Sequence, residues 1–188
     1  MENRKKQIIE LSIELVKKYG YDSFSYATLS KELGITKASI HHHFQRKDDL
    51  GLELCSYIHA HMVKEFNSIL SKKNCAKEKM KDYLNLYAKM IETGDKICPI
   101  ASLQAEANVI SKEMREEVCL IDDAENDFIE TVLNLGIKEN DFYIKGDIKL
   151  EALLITSALK GALQYSRIHD KNKYMLIAEQ LTLRLQSF

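Results

Sequence analysis

The sequence predicts an all-α fold: three short N-terminal helices in a helix-turn-helix arrangement, followed by a longer helical region. Apolar residues recur at three-to-four spacing almost throughout the 188 residues, which is the mark of amphipathic helices. Only one proline and seven glycines punctuate them, too few for a turn-rich sheet protein. Hydrophobic residues make up 45% of the chain and charged residues 29%, an ordinary balance for a protein with a buried core and not one for disorder.

The first helix is expected from Arg4 to Tyr19, where Ile8, Leu11, Leu15 and Val16 share a face that Ile9 and Ile13 widen. Gly20 is its expected stop. Ser25 stands in an N-cap position before a second helix, Tyr26 to Leu33, because its hydroxyl can accept an otherwise orphaned backbone N–H. Gly34 and Ile35 make a tight turn, and Thr36 caps a third helix from Lys37 to about His43. Two short helices joined by a glycine turn are a helix-turn-helix unit. Ile40, Phe44, Leu29, Leu33 and Ile35 are its expected core.

A long helix follows from Lys47 to about Leu70, carrying Leu50, Leu54, Ile58, Met62, Phe66 and Ile69 on one stripe. The polar run SKKNCAKEK ends it. Met80, Tyr83, Leu84, Tyr87, Met90 and Ile91 mark the next helix, which Thr93, Gly94 and Asp95 should break. Pro99 fits a first helical position, with Cys98 just before it and the helix continuing through Ala107. Ser111 is expected to cap a helix ending at Leu135 with Gly136 as the stop, and residues 137–146 to form a loop. Asp147 then caps a helix to about His169, and the last helix spans Tyr174 to Leu185. These two are apolar over most of their circumference, as helices buried on two sides are. One side is expected to face the chain's own core and the other a second copy, giving a homodimer through a four-helix interface. Ser157, Ala158, Gly161 and Ala162 are small enough for close approach there.

Several classes are excluded or disfavoured. No stretch reaches the roughly 18 apolar residues of a membrane span, and the N-terminus lacks an apolar leader segment, so a cytoplasmic protein without a membrane partner is expected. Cys55, Cys75, Cys98 and Cys119 form no CxxC pair, so neither a zinc ribbon nor a disulfide framework is signalled. Cys55 and His59 share a helix face, but two ligands do not make a metal site. No metal and no cofactor are expected. The net charge is -1, yet residues 1–50 hold nine Lys or Arg against seven Asp or Glu. That surplus points only weakly to nucleic acid, so the case rests on where the basic groups stand.

The segment FSYATLSKELGITKASIHHHFQRKDDL resembles the DNA-binding signature of TetR-type regulators, across roughly residues 8 to 55. The resemblance implies a dimeric transcriptional regulator, a repressor released from palindromic operator DNA by a small-molecule effector. It divides the chain into a DNA-binding domain, 1–46, and an effector-binding and dimerisation domain, 47–188. The physical reading of the residues agrees. A short capped helix enters the major groove end-on, where Lys37 and Ser39 offer donors to base edges and Ala38 meets a thymine methyl. His41, His42 and His43 cannot share one face at about 100° per residue. By the family's pattern His42 takes a place contacting bases or phosphate, His41 a phosphate-proximal aromatic place, and His43 a packed place near the next helix. Ser25, Tyr26 and Thr28 at one helix start, Thr36 at the next, and Lys47 at a third are expected beside phosphate.

Beyond residue 60 the resemblance reduces to helix order and one motif, CPIASLQAEA, which is similar to a C-P-x-x-x-L-x-x-E pattern found in a subset of these regulators. It sets Cys98 before a helix N-terminus, where unpaired N–H groups favour a thiolate. A cysteine-based sensor of electrophiles or oxidants is therefore an alternative reading, and a thiol enzyme a further one, although no catalytic spacing supports an enzyme. Met62, Phe66, Tyr83, Tyr87, Met90, Cys98, Phe128 and Tyr165 are the candidate lining of a pocket for an apolar or aromatic effector. Simple core packing is the competing reading of the same residues.

Overall fold

The computed structural model describes residues 2–92, 97–170 and 172–186, with residues 2, 90 and 92 as backbone only. Among the described residues all regular structure is helical. The order is α1 (Glu2–Tyr19), α2 (Tyr26–Leu33), α3 (Lys37–His43), α4 (Lys47–Ser71), α5 (Ala76–Glu92), α6 (Pro99–Ala105), α7 (Lys112–Glu139), α8 (Ile148–Ile168) and α9 (Asn172–Gln186). The chain forms two compact units, Met1–His61 with Ile97–Ile121, and Met62–Lys96 with Asp122–Phe188. These are units of packing. The division at 46/47 expected from the sequence is one of function.

In the first unit the helical stripes meet as their spacing requires. Ile8 and Val16 of α1, Leu29 of α2, Ile40 of α3, and Leu50 and Leu54 of α4 are fully buried. Each large aliphatic side chain so placed contributes roughly 1.5–3 kcal/mol relative to exposure. Local chemistry sets the ends of the two short helices. Ser25 accepts from Thr28 N while the Thr28 hydroxyl accepts from Ser25 N, a reciprocal capping box at the start of α2. Gly34 ends α2 at φ 62, a left-handed conformation open to glycine without a Cβ penalty. Thr36 accepts from Ser39 N at the start of α3. Each such cap contributes about 1 kcal/mol. Leu33 and Ile35 are half-buried, not the core residues expected, because the turn at Gly34 reverses the chain between them at the surface.

Several boundaries also differ from the sequence reading. α1 begins at Glu2 and α6 closes at Ala105, two residues from each expected end. α5 begins at Ala76, inside the polar run expected to be loop. The reason is Lys79, whose buried ammonium donates to the carbonyls of Ile69, Leu70 and Lys72 and to Asn74 Oδ1. A charged residue thus turns inward to satisfy the orphan carbonyls at the end of α4. Gly136 does not stop α7, which runs on to Glu139. Asn140, at φ 61, takes the left-handed place instead. Gly136 is needed for close approach: the Phe142 ring lies where a Cβ would stand, and Asp141 N and Phe142 N donate to Gly136 O at 2.8 and 3.1 Å. The break expected at Thr93, Gly94 and Asp95 lies outside the described residues.

The second unit buries Phe66 of α4, Met80 and Tyr83 of α5, Ile129, Val132 and Leu133 of α7, Ile155 and Leu159 of α8, and Tyr174 and Ala178 of α9. α8 and α9 pack on each other, and α5 packs on both. Asp147 caps α8 as expected, accepting from Lys149 N and Leu150 N. The other face of the α8–α9 pair is open. Leu150, Leu153, Leu154, Tyr165 and Ile168 of α8, with Met175, Leu176 and Leu183 of α9, are large apolar side chains left exposed. Among the described residues no helix is long and apolar enough to cross a membrane.

Candidate nucleic-acid interface

α3 presents one side along its whole length outward. Thr36, Lys37, Ala38, His41 and His42 are exposed and Ser39 is half-exposed, while Ile40 anchors the helix from behind. A rod seven residues long, fixed by a cap and one buried apolar anchor, holds its exposed side chains in a defined direction. Lys37, Ser39 and His42 carry hydrogen-bonding groups suited to base edges, and Ala38 carries a methyl. His42 and His43 also border a cleft of about 450 Å³ together with Ser39, Asn3, Arg4 and Gln7, so the start of α1 adjoins the outer side of α3. The sequence reading did not include Asn3, Arg4 or Gln7, and nothing local in the sequence marks them.

The flanking residues are held by hydrogen bonds. Tyr26 Oη donates to Phe44 O at 3.0 Å and Arg46 O at 2.6 Å, tying α2 to the turn between α3 and α4. Burial, then Asp49 and Asp48, push its phenol up to about 12, so it stays a donor. Its ring meets His41 edge-on at 4.7 Å between centroids. Ser25 and Thr28 are engaged in the capping box. Lys47 is half-buried: its ammonium donates to Asp22 O at 3.3 Å and lies over the rings of Tyr21 and Phe24. Burial lowers its pKa, an effect that Asp22, Glu106 and Asp48 oppose. The lysine read from sequence as a phosphate contact is therefore also a brace of the α1–α2 connector. Asp49 accepts from Arg46 N at 2.8 Å and holds the start of α4. His43 packs beside His42 and Phe44.

The candidate effector residues separate into groups. Phe66, Tyr83, Tyr87 and Phe128 come together in the second unit, with Phe66 and Phe128 stacked at 4.5 Å. Tyr83 Oη and Tyr87 Oη both donate to Glu125, a buried carboxylate absent from the sequence reading. Lys160 closes the cluster with its ammonium 3.0 Å from Glu125 Oε2 and a second ion pair to Asp122. Burial opposes the Lys160 charge, but Glu125 and Asp122 outweigh it and raise its pKa. Burial likewise pushes the Tyr83 phenol well up, reinforced by Glu125. Met62 is half-buried. Tyr165 is 54% exposed and stacks on His169, because it falls on the outward stripe of α8 with Leu150, Leu154 and Ile168. Cys98 is buried in the first unit, where it precedes α6. The Met90 side chain lies outside the described residues. Cys55 is buried too, and burial raises its thiol to about 12. Among the described residues no group of three or more His, Cys, Asp or Glu is placed to hold a metal ion.

Among the described residues the structure is all-helical, and its N-terminal unit carries a helix-turn-helix whose capped, polar-faced third helix is turned to solvent. Residues 8–54 match the family described as bacterial regulatory proteins, tetR family. That match spans 47 of the 188 residues, so over its helix-turn-helix segment the chain is similar to TetR-family transcriptional regulators. Solved structures agree over the whole length. A TetR-family transcriptional regulator from Agrobacterium tumefaciens is 26% identical, covers 99% of each chain and superposes with a TM-score of 0.94. A TetR transcriptional regulator from Legionella pneumophila shares the fold at 21% identity, 96% of each chain and a TM-score of 0.87. The regulator FadR from Bacillus subtilis, solved in complex with stearoyl-CoA, shares it at 18% identity, 97% of each chain and a TM-score of 0.73. No curated protein matches the sequence.

Proposed function

We propose that this chain is a homodimeric transcriptional repressor that holds palindromic operator DNA through residues 1–46 and releases it when a small apolar or aromatic effector occupies residues 47–188. The observation that carries the reading is the outward side of α3, with Lys37, Ala38 and Ser39 of its first turn and His41 and His42 of its last turn facing away from the core and Ile40 buried behind them. Ser25, Tyr26, Thr28, Thr36 and Lys47 flank it at helix starts, where backbone N–H groups suit phosphate oxygens. Their side chains hold those starts in place, so the phosphate contact falls chiefly to the backbone.

The dimer is supported by the outward apolar stripe of α8 and α9, since a contiguous stripe of large apolar side chains marks an interaction site. A two-fold dimer presents two copies of α3, matching an operator of two half-sites about one helical turn apart. The effector is supported by the aromatic cluster of Phe66, Tyr83, Tyr87 and Phe128, and a relative of the same fold carries a long-chain acyl thioester. α4 starts beside the reading head and ends among those aromatics, which makes it the natural transmitter.

Selection from a random duplex pool, followed by titration at several salt concentrations, tests the reading. The expected product is a palindrome, bound with an affinity that falls linearly in log[salt] and retained against heparin. Equal affinity for the selected duplex and for heparin would remove it. Effector action is tested on the same complex: because coupling is reciprocal, an effector must bind the DNA-loaded protein more weakly by the factor with which it loosens DNA.

A further inference from the structure

We propose that Glu106 is a positioning residue for DNA recognition: its carboxylate clamps the connector between α1 and α2 and so sets where the reading head stands. Glu106 is the last residue of the C-P-x-x-x-L-x-x-E motif, in the part of the sequence assigned to effector binding and dimerisation. The segment Ile97–Ile121 nevertheless packs in one compact unit with the helix-turn-helix. The inference rests on the DNA-binding reading above.

The geometry is a two-sided grip on one short connector. Glu106 Oε2 accepts from Tyr21 N at 2.6 Å and Oε1 accepts from Asp22 N at 3.2 Å. From the other side, Lys47 Nζ donates to Asp22 O at 3.3 Å, and Tyr21 Oη donates back to Lys47 O at 2.9 Å. Asp22 is thus held by its N–H and its carbonyl at once, between α6 and the first residue of α4. Tyr21 and Phe24 are buried beneath the grip, and Ser25, the cap of α2, follows directly. α6 is itself fastened to α1, with Ile97 N donating to Lys17 O at 2.8 Å and Ser102 Oγ to Val16 O at 3.3 Å.

The chain also makes room for the carboxylate. Gly20 has φ +90, and a Cβ there would stand 2.6 Å from Glu106 Oε1. A charged acceptor facing two backbone donors forms short, strong hydrogen bonds. Water can replace each singly but cannot hold both at the spacing that aims α2 and α3.

The test compares wild type, Glu106→Ala and Glu106→Gln as full chains against the duplex enriched by wild-type protein. Glu106→Ala is expected to weaken binding about tenfold, the loss appropriate to a charge-assisted hydrogen-bond pair. Glu106→Gln keeps one acceptor oxygen and should fall between the two. The sign is diagnostic, because removing a negative charge near DNA strengthens binding by simple electrostatics, whereas loss of positioning weakens it. Amide exchange should speed up at Tyr21 and Asp22 while α4 keeps its protection, a pattern that general destabilisation does not give. Variants that bind as tightly as wild type or more tightly, or exchange unchanged at those two amides, would overturn the proposal. If Glu106→Ala does not fold, Glu106→Gln decides by the same two readouts. If wild-type protein enriches no duplex, the DNA-binding reading fails, and exchange at Tyr21 and Asp22 still decides whether the clamp exists.

Discussion

The outward side of α3 and the outward face of α8 and α9 both meet solvent, yet they are opposite in chemistry. On α3 the exposed groups are Lys37, His41 and His42 with Ser39 half-exposed, and the apolar Ile40 is fully buried. On α8 and α9 the exposed groups are Leu150, Leu153, Leu154, Ile168, Met175 and Leu176, while Thr156 and Ser166 are buried. Water satisfies the first surface, which needs a polar and specific partner to change its state. The second surface stays costly in water until apolar material covers it. On the proposed reading the difference separates recognition from assembly: a short polar helix can be engaged and released, whereas a long apolar face stays closed once covered.

The sharpest way to break this comparison is to charge the apolar face. Leu150 and Leu176 are 66% and 56% exposed, so replacing both with glutamate should cost the isolated subunit no more than about 0.5 kcal/mol each. If the face is the dimer interface, sedimentation equilibrium should show the mass halved. Operator affinity should then fall on the order of a hundredfold or more, because two linked reading heads become one. A double variant that remains a dimer would assign the assembly to another surface.

What was legible in the sequence follows from how local the cause is. Ser25, Gly34 and Thr36 act within three or four residues, and α2 and α3 have the bounds that their spacing predicts. The double-sided character of α8 is also written in its period. Gly136 was misread because its reason is the Phe142 ring folded back on it, not a left-handed turn. Lys79 is one lysine of a polar run and Glu125 carries no local mark, yet both are buried, and only the folded chain brings up the carbonyls and phenols that receive them. Glu106 was visible as a letter in a motif, but its partners lie 85 and 84 residues away. Cys98, the residue to which that motif drew attention, is buried among α6 and its neighbours. Local capping can be read from a string of residues, whereas a hydrogen bond across most of a unit cannot.

A smaller effect sharpens the polar side of the comparison. Lys37 is exposed at the start of α3. Replacing it with alanine keeps the helix, since alanine is a better helix former and the Thr36 cap remains. A lost contact to a base edge should cost about 1–3 kcal/mol of discrimination. Competition between the selected duplex and a scrambled one should therefore show the preference reduced roughly tenfold to a hundredfold, with dimer mass unchanged. An unaltered preference would move base reading away from Lys37.

The smallest expected effect concerns acid, and it separates the packed histidine from its exposed neighbours. Burial lowers the His43 pKa, and His42, Lys5 and Arg4 lower it further by repelling a positive ring. The unfolded chain then takes up this proton at a higher pH than the native one, near the ordinary histidine value of about 6.5. The stability contributed by neutral His43 is complete above that value and is lost as pH falls through the lower native pKa. Thermal midpoints measured downward from neutral pH should therefore decline, and His43→Gln should flatten part of that slope because glutamine has no proton to take up. Amides of α3 should show the loss first, since the His43 ring sits at its last residue. If His43→Gln has the same slope as wild type, the acid sensitivity of this unit arises elsewhere and His43 is packed without electrostatic consequence.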